Sequence, residues 1–325
     1  MQRRRRLTRS IALVSALVLV LAACGDDDTA GNGPGGGDAL LDQYDFSGID
    51  ISVGSKDFDE QRFLGYMAVQ AFEYMGANVE DNVDLGGTAP ARAALESGDI
   101  DTYFEYNGTG YAVHLGISGE VPNDPEELTS FVHETDLADN GIHWLSRSPF
   151  NNTYGFAASP GLTAADGSFD FDSMAGYLEA NPDALVCMES EFPVRDDGLI
   201  LWENHTGYTI PQSQQQILET GIIYTETGDD NCDFGEVFTT DGRIEGLELG
   251  LVDDPGVMIL YNISMNLRDD KYQENPEAFE AVADLLMAPL TQERMVELNF
   301  RISFEGEPPA DVARDYLIEE GLIEG

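Results

Sequence analysis

Lysine is almost absent from this 325-residue chain, which holds only Lys56 and Lys271, and all bases together number 16 against 61 acids. A formal net charge of −45 excludes nucleic acid as a partner, because phosphate backbones are held by Lys and Arg. Histidine is scarce too: His114, His133, His143 and His205 are scattered, without partners at catalytic spacing. There is no GxSxG elbow, no HExxH and no phosphate-cradling P-loop. A glycosidase-type carboxylate pair carries no weight here, since 61 acids produce such pairs by composition alone. Beyond Cys24, only Cys187 and Cys232 occur; with neither CxxC spacing nor nearby histidines they make a poor metal site. No internal repeat is present. These absences weigh against an enzyme and leave no metal or cofactor to be expected, with an extracellular hydrolase still the rival class.

What the chain does have begins with a processing signal. MQRRRRLTR is a basic n-region, Ile11–Val20 is an apolar h-region, and Leu21-Ala22-Ala23-Cys24 ends it as a lipobox. The apolar run is shorter than the ~20 residues a membrane span needs. Residues 1–23 are thus expected to be a lipoprotein signal peptide, with Cys24 lipidated and anchoring the protein on the outer face of the membrane. Residues 24–46 are expected to form the tether, for GDDDTAGNGPGGGD at 25–38 has almost nothing to bury. Cleavage removes Arg3, Arg4, Arg5, Arg6 and Arg9, taking the net charge from −45 to −50. Such a surface repels itself unless salt screens it, the Debye length being ~3 Å at 1 M. We read it as adaptation to saline surroundings rather than simple export. In an oxidising setting, Cys187 and Cys232 are favoured as a disulfide over two free buried thiols.

Strands and helices alternate along the remaining ~285 residues, which argues an α/β class with two lobes. Strand Ile49–Gly54 leads to helix Glu60–Met75, with Asp57 and Glu60 spaced as a capping box and Gly76 as its stop. Asp124 is expected to cap a helix reaching Asn140 with Leu128, Phe131, Val132 and Leu137 inward, followed by strand Ile142–Leu145. The chain then changes lobe through NNTYGFAAS. Helix Asp172–Ala180, strand Ala184–Met188, helix Leu199–His205 and strand Cys232–Thr239 frame the second lobe. Val257–Tyr261 crosses back, and helices near Pro276–Leu286, Gln292–Leu298 and Pro309–Glu320 complete the first. This places lobe 1 at 47–150 and 256–325 and lobe 2 at 151–255, joined by two hinge crossings.

The densest signal lies in LGGTAPARAALESGDIDTYFEYNGTG at 85–110. Thr88 is a helix N-cap, Ala91–Glu96 a short helix, Gly98 its left-handed stop, and Ile100–Tyr106 an aromatic-rich strand. Open α/β sheets bind ligands beyond the carboxyl ends of their strands, so Tyr106, Asn107 and Thr109 sit where a small molecule is met. Lys56 occupies the same kind of position upstream.

These stretches, with GSKDFDEQ at 54–61, NNTYGFA at 151–157, ESEFPVRDDG at 189–198, FTTDGRIEGLEL at 238–249 and LNFRISFEGEPPADVARDYL at 298–317, resemble one family. It comprises the extracellular solute-binding proteins of ABC importers for glycine betaine, choline and related quaternary ammonium osmolytes. The resemblance runs in order from about Ile49 to the C-terminus. It implies a bilobal periplasmic-binding-protein-like fold of type II, an osmoprotective transport role, and a permease with its ATPase as partners.

The resemblance also implies a site. A quaternary ammonium donates no hydrogen bond, so it is held by aromatic faces, and Tyr106, Tyr154, Phe238 and Tyr261 match the family's cage positions. Phe238 stands where tyrosine is common and keeps the face but not the hydroxyl. Lys56, Thr109 and Arg195 match the donors for a ligand carboxylate, Arg offering a fork and Lys a point charge. Glu191 is expected to orient Arg195, and Arg243 to be structural. Ring packing, a solvated Lys56, and a local salt bridge of Arg195 to Asp196 or Glu191 are the ordinary alternatives. A same-fold receptor for choline, carnitine or an amino acid is the rival ligand assignment; an extracellular hydrolase is the rival class.

Overall fold

Among the described residues, ten strands build two five-stranded sheets, and each sheet takes in one strand that begins just after the chain has changed lobe. The computed structural model describes residues 39–117 and 121–325; the expected signal peptide, Cys24 and the part of the expected tether up to Asp38 lie outside the described residues. The first sheet has order β2-β1-β3-β10-β4, from β1 (Asp50–Gly54), β2 (Asn78–Asn82), β3 (Thr102–Tyr106), β4 (Ile142–Arg147) and β10 (Ile263–Arg268). The second has order β7-β6-β8-β5-β9, from β5 (Tyr154–Ala158), β6 (Val186–Met188), β7 (Gln215–Ile217), β8 (Phe234–Phe238) and β9 (Gly250–Leu251).

The pairing directions decide where a site forms. Strands β1, β2 and β3 are parallel, while β10 runs antiparallel between β3 and β4. Likewise β6, β7 and β8 are parallel, and β5 is antiparallel to β8. An antiparallel strand brings its amino end to the edge where its parallel neighbours end. The starts of β5 and β10 therefore join the ends of β1, β3, β6 and β8 along the facing edges of the two sheets.

Two crossings join the halves and pair with each other. Ser148 N–H donates to Ile263 O at 2.8 Å and Asn152 N–H to Tyr261 O at 3.1 Å. Asn262 Nδ2 donates to Phe150 O at 2.7 Å, and Asn151 Oδ1 accepts from the Tyr261 N–H at 2.6 Å. Gly108 is required beside them, because a Cβ there would stand 2.6 Å from Leu260 O and 3.0 Å from the Tyr261 ring.

Several local readings are corrected. Helix Asp59–Tyr74 has Phe58 as its N-cap residue with no side-chain cap, so the Asp57–Glu60 capping box does not form. Glu60 is instead buried and used elsewhere. Gly87, not Thr88, precedes helix Thr88–Ser97, although Gly98 ends it in the left-handed region as expected. Asp124 does cap Pro125–Asn140, accepting from the N–H groups of Glu126 and Glu127, but Phe131 is exposed. Ala39–Phe46, assigned to the tether, is docked: Leu41 and Phe46 are fully buried, and Leu40 N–H donates to Gly321 O. Phe46 packs its ring 5.3 Å from Phe72 and 5.1 Å from Phe279, and apolar burial outweighs the short sequence's lack of pattern. Strand β10 is absent from the sequence reading although ISMNLR alternates apolar and polar residues as a strand does; its polar Ser264 and Asn266 are nonetheless buried. Helices Pro160–Asp166 and Thr220–Gly228 were missed as well.

Cys187 and Cys232 form a disulfide with their Cα atoms 5.9 Å apart. It ties β6 to the residue just ahead of Asp233 and β8, and packs against buried Ile223. No helix of the described residues is long and apolar enough to cross a membrane.

Candidate functional site

Where the two sets of strand ends face each other, five aromatic rings close into a circuit. Starting from Tyr106 at the end of β3, the centroid of Tyr261 lies 6.3 Å away, and Tyr154 is 5.6 Å from Tyr261. Phe238 is 5.3 Å from Tyr154, Phe58 is 6.0 Å from Phe238, and Phe58 returns to Tyr106 at 6.2 Å. They line a cavity of about 60 Å³ together with Lys56, Thr88, Thr109, Asn152 and Arg195. At ~10–15 Å³ per enclosed water, that is room for one small solute.

All seven side chains expected to share a site, Lys56, Tyr106, Thr109, Tyr154, Arg195, Phe238 and Tyr261, line this one cavity. Asn107 does not; it is buried and its Nδ2 donates to Thr129 at 2.9 Å. Three wall residues were missed. Phe58 lies two residues beyond Lys56 in the same post-β1 segment, a position the strand-end rule covers. Thr88 was read only as a cap, and Asn152 only as a turn.

Both cations of the cavity are held by carboxylates. Lys56 Nζ donates to Glu105 Oε1 at 2.6 Å with both groups buried. Glu105 also accepts from the Tyr106 N–H and the Tyr103 hydroxyl, and its Oε2 lies 2.9 Å from His114 Nε2. Burial alone would raise the Glu105 carboxyl, but the Lys56 charge and the His114 contact outweigh it and hold it at about 2. Burial pulls Lys56 below its ordinary value against the attraction of Glu105. Arg195 places its Nε and Nη2 on the two oxygens of Asp197 at 2.7 and 2.6 Å, while its Nη1 lies 3.6 Å from Glu191 Oε2. Its guanidinium also lies 5.6 Å from the Tyr154 centroid. Asp197 in addition accepts the Tyr261 hydroxyl. The buried partner that orients Arg195 is therefore Asp197; Glu191, expected in that part, adds a longer, solvent-exposed ion pair at 3.6 Å. Arg243 makes a fork to Asp241 and stacks over Tyr224 at 4.1 Å, away from the cavity.

Glu60 is the other buried acid at the site. Its Oε1 accepts from the Tyr106 hydroxyl at 2.7 Å and Asn152 Nδ2 at 2.9 Å. Its Oε2 accepts from the Thr240 hydroxyl at 2.6 Å and Asn299 Nδ2 at 2.8 Å. Burial holds this carboxyl above its ordinary value, and the four donors offset that rise only in part. Next to the cage a wider cleft of about 620 Å³ shares Lys56, Phe58, Thr88, Tyr154, Arg195 and Phe238, and carries Asp57, Glu189, Glu191 and Glu219.

A binding cleft between two α/β lobes, with no cluster of His, Cys, Asp or Glu able to hold a metal among the described residues, is the geometry of a solute receptor. The chain belongs to the family of the substrate binding domain of ABC-type glycine betaine transport systems, whose model matches residues 49–319. It is thus a substrate-binding protein of an ABC importer, a bilobal type II binding fold and not an enzyme, working outside the cytoplasm with a membrane permease. It is similar to a glycine-betaine-binding protein of Pseudomonas aeruginosa, 31% identical over 281 residues, spanning 84% of this chain and 89% of that one. The glycine betaine-binding protein YehZ of Escherichia coli is 27% identical over 277 residues, spanning 83% and 90%. A solved glycine betaine/carnitine/choline ABC transporter protein, 19% identical, shares the fold at a TM-score of 0.70 over 84% of this chain and all of its own.

The Lys56–Glu105 pair gives a direct test of this electrostatic frame. Glu105→Gln leaves a buried ammonium unanswered and should cost about 3–5 kcal/mol, read by urea denaturation at neutral pH. Because Glu105 is depressed from 4.5 to about 2, its stabilisation is full above the ordinary carboxylate range and is lost as pH falls toward 2. The variant's stability should accordingly fall less steeply across that window than the wild type's.

Proposed function

We propose that this receptor captures glycine betaine or a closely related quaternary ammonium osmolyte in the five-ring cage and delivers it to a permease and its ATPase for osmoprotection. The observation that carries the reading is the closed circuit Phe58–Tyr106–Tyr261–Tyr154–Phe238 around a small cavity. A trimethylammonium group gains only from π faces and dispersion, roughly 0.5–2 kcal/mol per cation–π contact. Lys56, Thr109 and Arg195 line the same cavity as donors for a carboxylate, the Nη1 of Arg195 being engaged only in a long pair to the exposed Glu191. Ligand bridging the two lobes stabilises the closed state by its differential affinity.

One observation favours choline as the second reading. Lys56 and Arg195 are already paired with Glu105 and Asp197, so the cavity has little net positive charge to offer a carboxylate. Titration calorimetry separates the two. If betaine is the ligand, Arg195→Ala should lower its affinity by tenfold or more, since a charge-assisted hydrogen bond contributes roughly 1.5–3 kcal/mol, while choline changes little. A wild type that prefers choline, or equal losses for both, contradicts the carboxylate assignment. Tyr154 provides the cage control. Its hydroxyl donates to no carboxylate, so Tyr154→Phe should be mild and Tyr154→Ala should cost about tenfold or more.

The lipobox and tether support attachment of Cys24 to lipid on the extracytoplasmic face, and the acid-rich surface supports work in saline surroundings. Cys24→Ala should move the protein from the membrane fraction to the soluble one with betaine binding intact. Retention after a carbonate wash would place the anchor elsewhere.

A further inference from the structure

Two of the cage tyrosines donate their hydroxyls to buried carboxylates, and the two carboxylates differ in what else they meet. Asp197, behind Tyr261, has its charge answered by the Arg195 fork. Glu60, behind Tyr106, is met by four donors that are all neutral: Tyr106, Asn152, Thr240 and Asn299. Its charge is solvated by fixed dipoles and cancelled by none of them. It is also 3% exposed, so little water screens it.

A phenol that donates to a carboxylate shifts electron density onto its oxygen and ring, which deepens the negative face a cation binds. The carboxylate adds its own field from the hydroxyl edge of the ring, its Oε1 2.7 Å from the phenol oxygen. We propose that Glu60, acting through the Tyr106 hydroxyl, is a positioning and specificity-determining residue that makes the cage prefer a cationic head group over a neutral one of the same shape. This rests on the cage being a trimethylammonium site. The four donors come from the end of β3, the first crossing, the segment after β8 and helix Gln292–Ser303, so the same carboxylate also fixes the Tyr106 wall relative to the other lobe.

The test compares glycine betaine with 3,3-dimethylbutanoate, which keeps the shape and carboxylate and replaces the quaternary nitrogen by carbon. Wild type should prefer betaine clearly. Glu60→Gln keeps an acceptor and drops the charge; betaine affinity should fall about tenfold while the carbon analogue changes by no more than about threefold. Tyr106→Phe keeps both ring and Glu60 but cuts the hydrogen bond, so the betaine preference should shrink by a smaller factor. Equal losses for both ligands in Glu60→Gln would leave Glu60 a purely structural role and overturn the proposal, as would an unchanged preference. Should Glu60→Gln fail to fold, an unchanged preference in Tyr106→Phe overturns it alone. A wild type that binds the two ligands equally would instead defeat the cage reading itself, before any variant is compared.

Discussion

Four stretches of chain that are distant in sequence converge on the carboxylate of Glu60, and the site exists in its present form because they do. Tyr106, Asn152, Thr240 and Asn299 each spend a hydrogen bond there. A buried anion is tolerated only when its oxygens are satisfied, so the requirement runs both ways: the acid needs its donors, and the donors hold the end of β3, the first crossing and the far lobe in one arrangement. The cage walls Tyr106 and Phe238 stand on either side of this node.

Charge is distributed in the site against the trend of the molecule. With acids outnumbering bases nearly four to one, each cation is conspicuous, yet Lys56 and Arg195 are both neutralised in place by Glu105 and Asp197. What remains is a cavity of aromatic faces backed by acids, with the Arg195 fork and the Lys56 ammonium turned toward carboxylates. Such a cavity suits a ligand whose positive end wants π faces and whose opposite end, if any, is small. The wider acidic cleft beside it continues the same sign outward.

Much of this was legible because ligand-facing residues sit at strand ends, and strand ends are local. Lys56 after β1, Tyr106 closing β3, Tyr154 opening β5 and Phe238 closing β8 lie at strand ends, and the matched segments carried them together with Tyr261 and Arg195. The residues that escaped depend on contacts between distant segments. Glu60 obeys the spacing of a capping box, and nothing within eight residues reveals that its partner Asn299 is 239 residues away. Asp197 lies two residues from Arg195, yet the pattern offered Asp196 and Glu191 equally well, and only the folded turn selects it. Ala39–Phe46 looked like tether because two apolar anchors, Leu41 and Phe46, are too few to show a period. Strand β10 carries a legible alternation, but its polar Ser264 and Asn266 suggest a solvated face where the fold buries them between two neighbouring strands.

The central claim is that the five rings surround a quaternary nitrogen, and a crystal structure with glycine betaine bound tests it most directly. The account predicts the nitrogen within about 6 Å of the centroids of the cage rings, with the ligand carboxylate on the side of Arg195, Lys56 and Thr109. A ligand seated in the acidic cleft outside the rings, or one whose nitrogen faces Arg195, would contradict it.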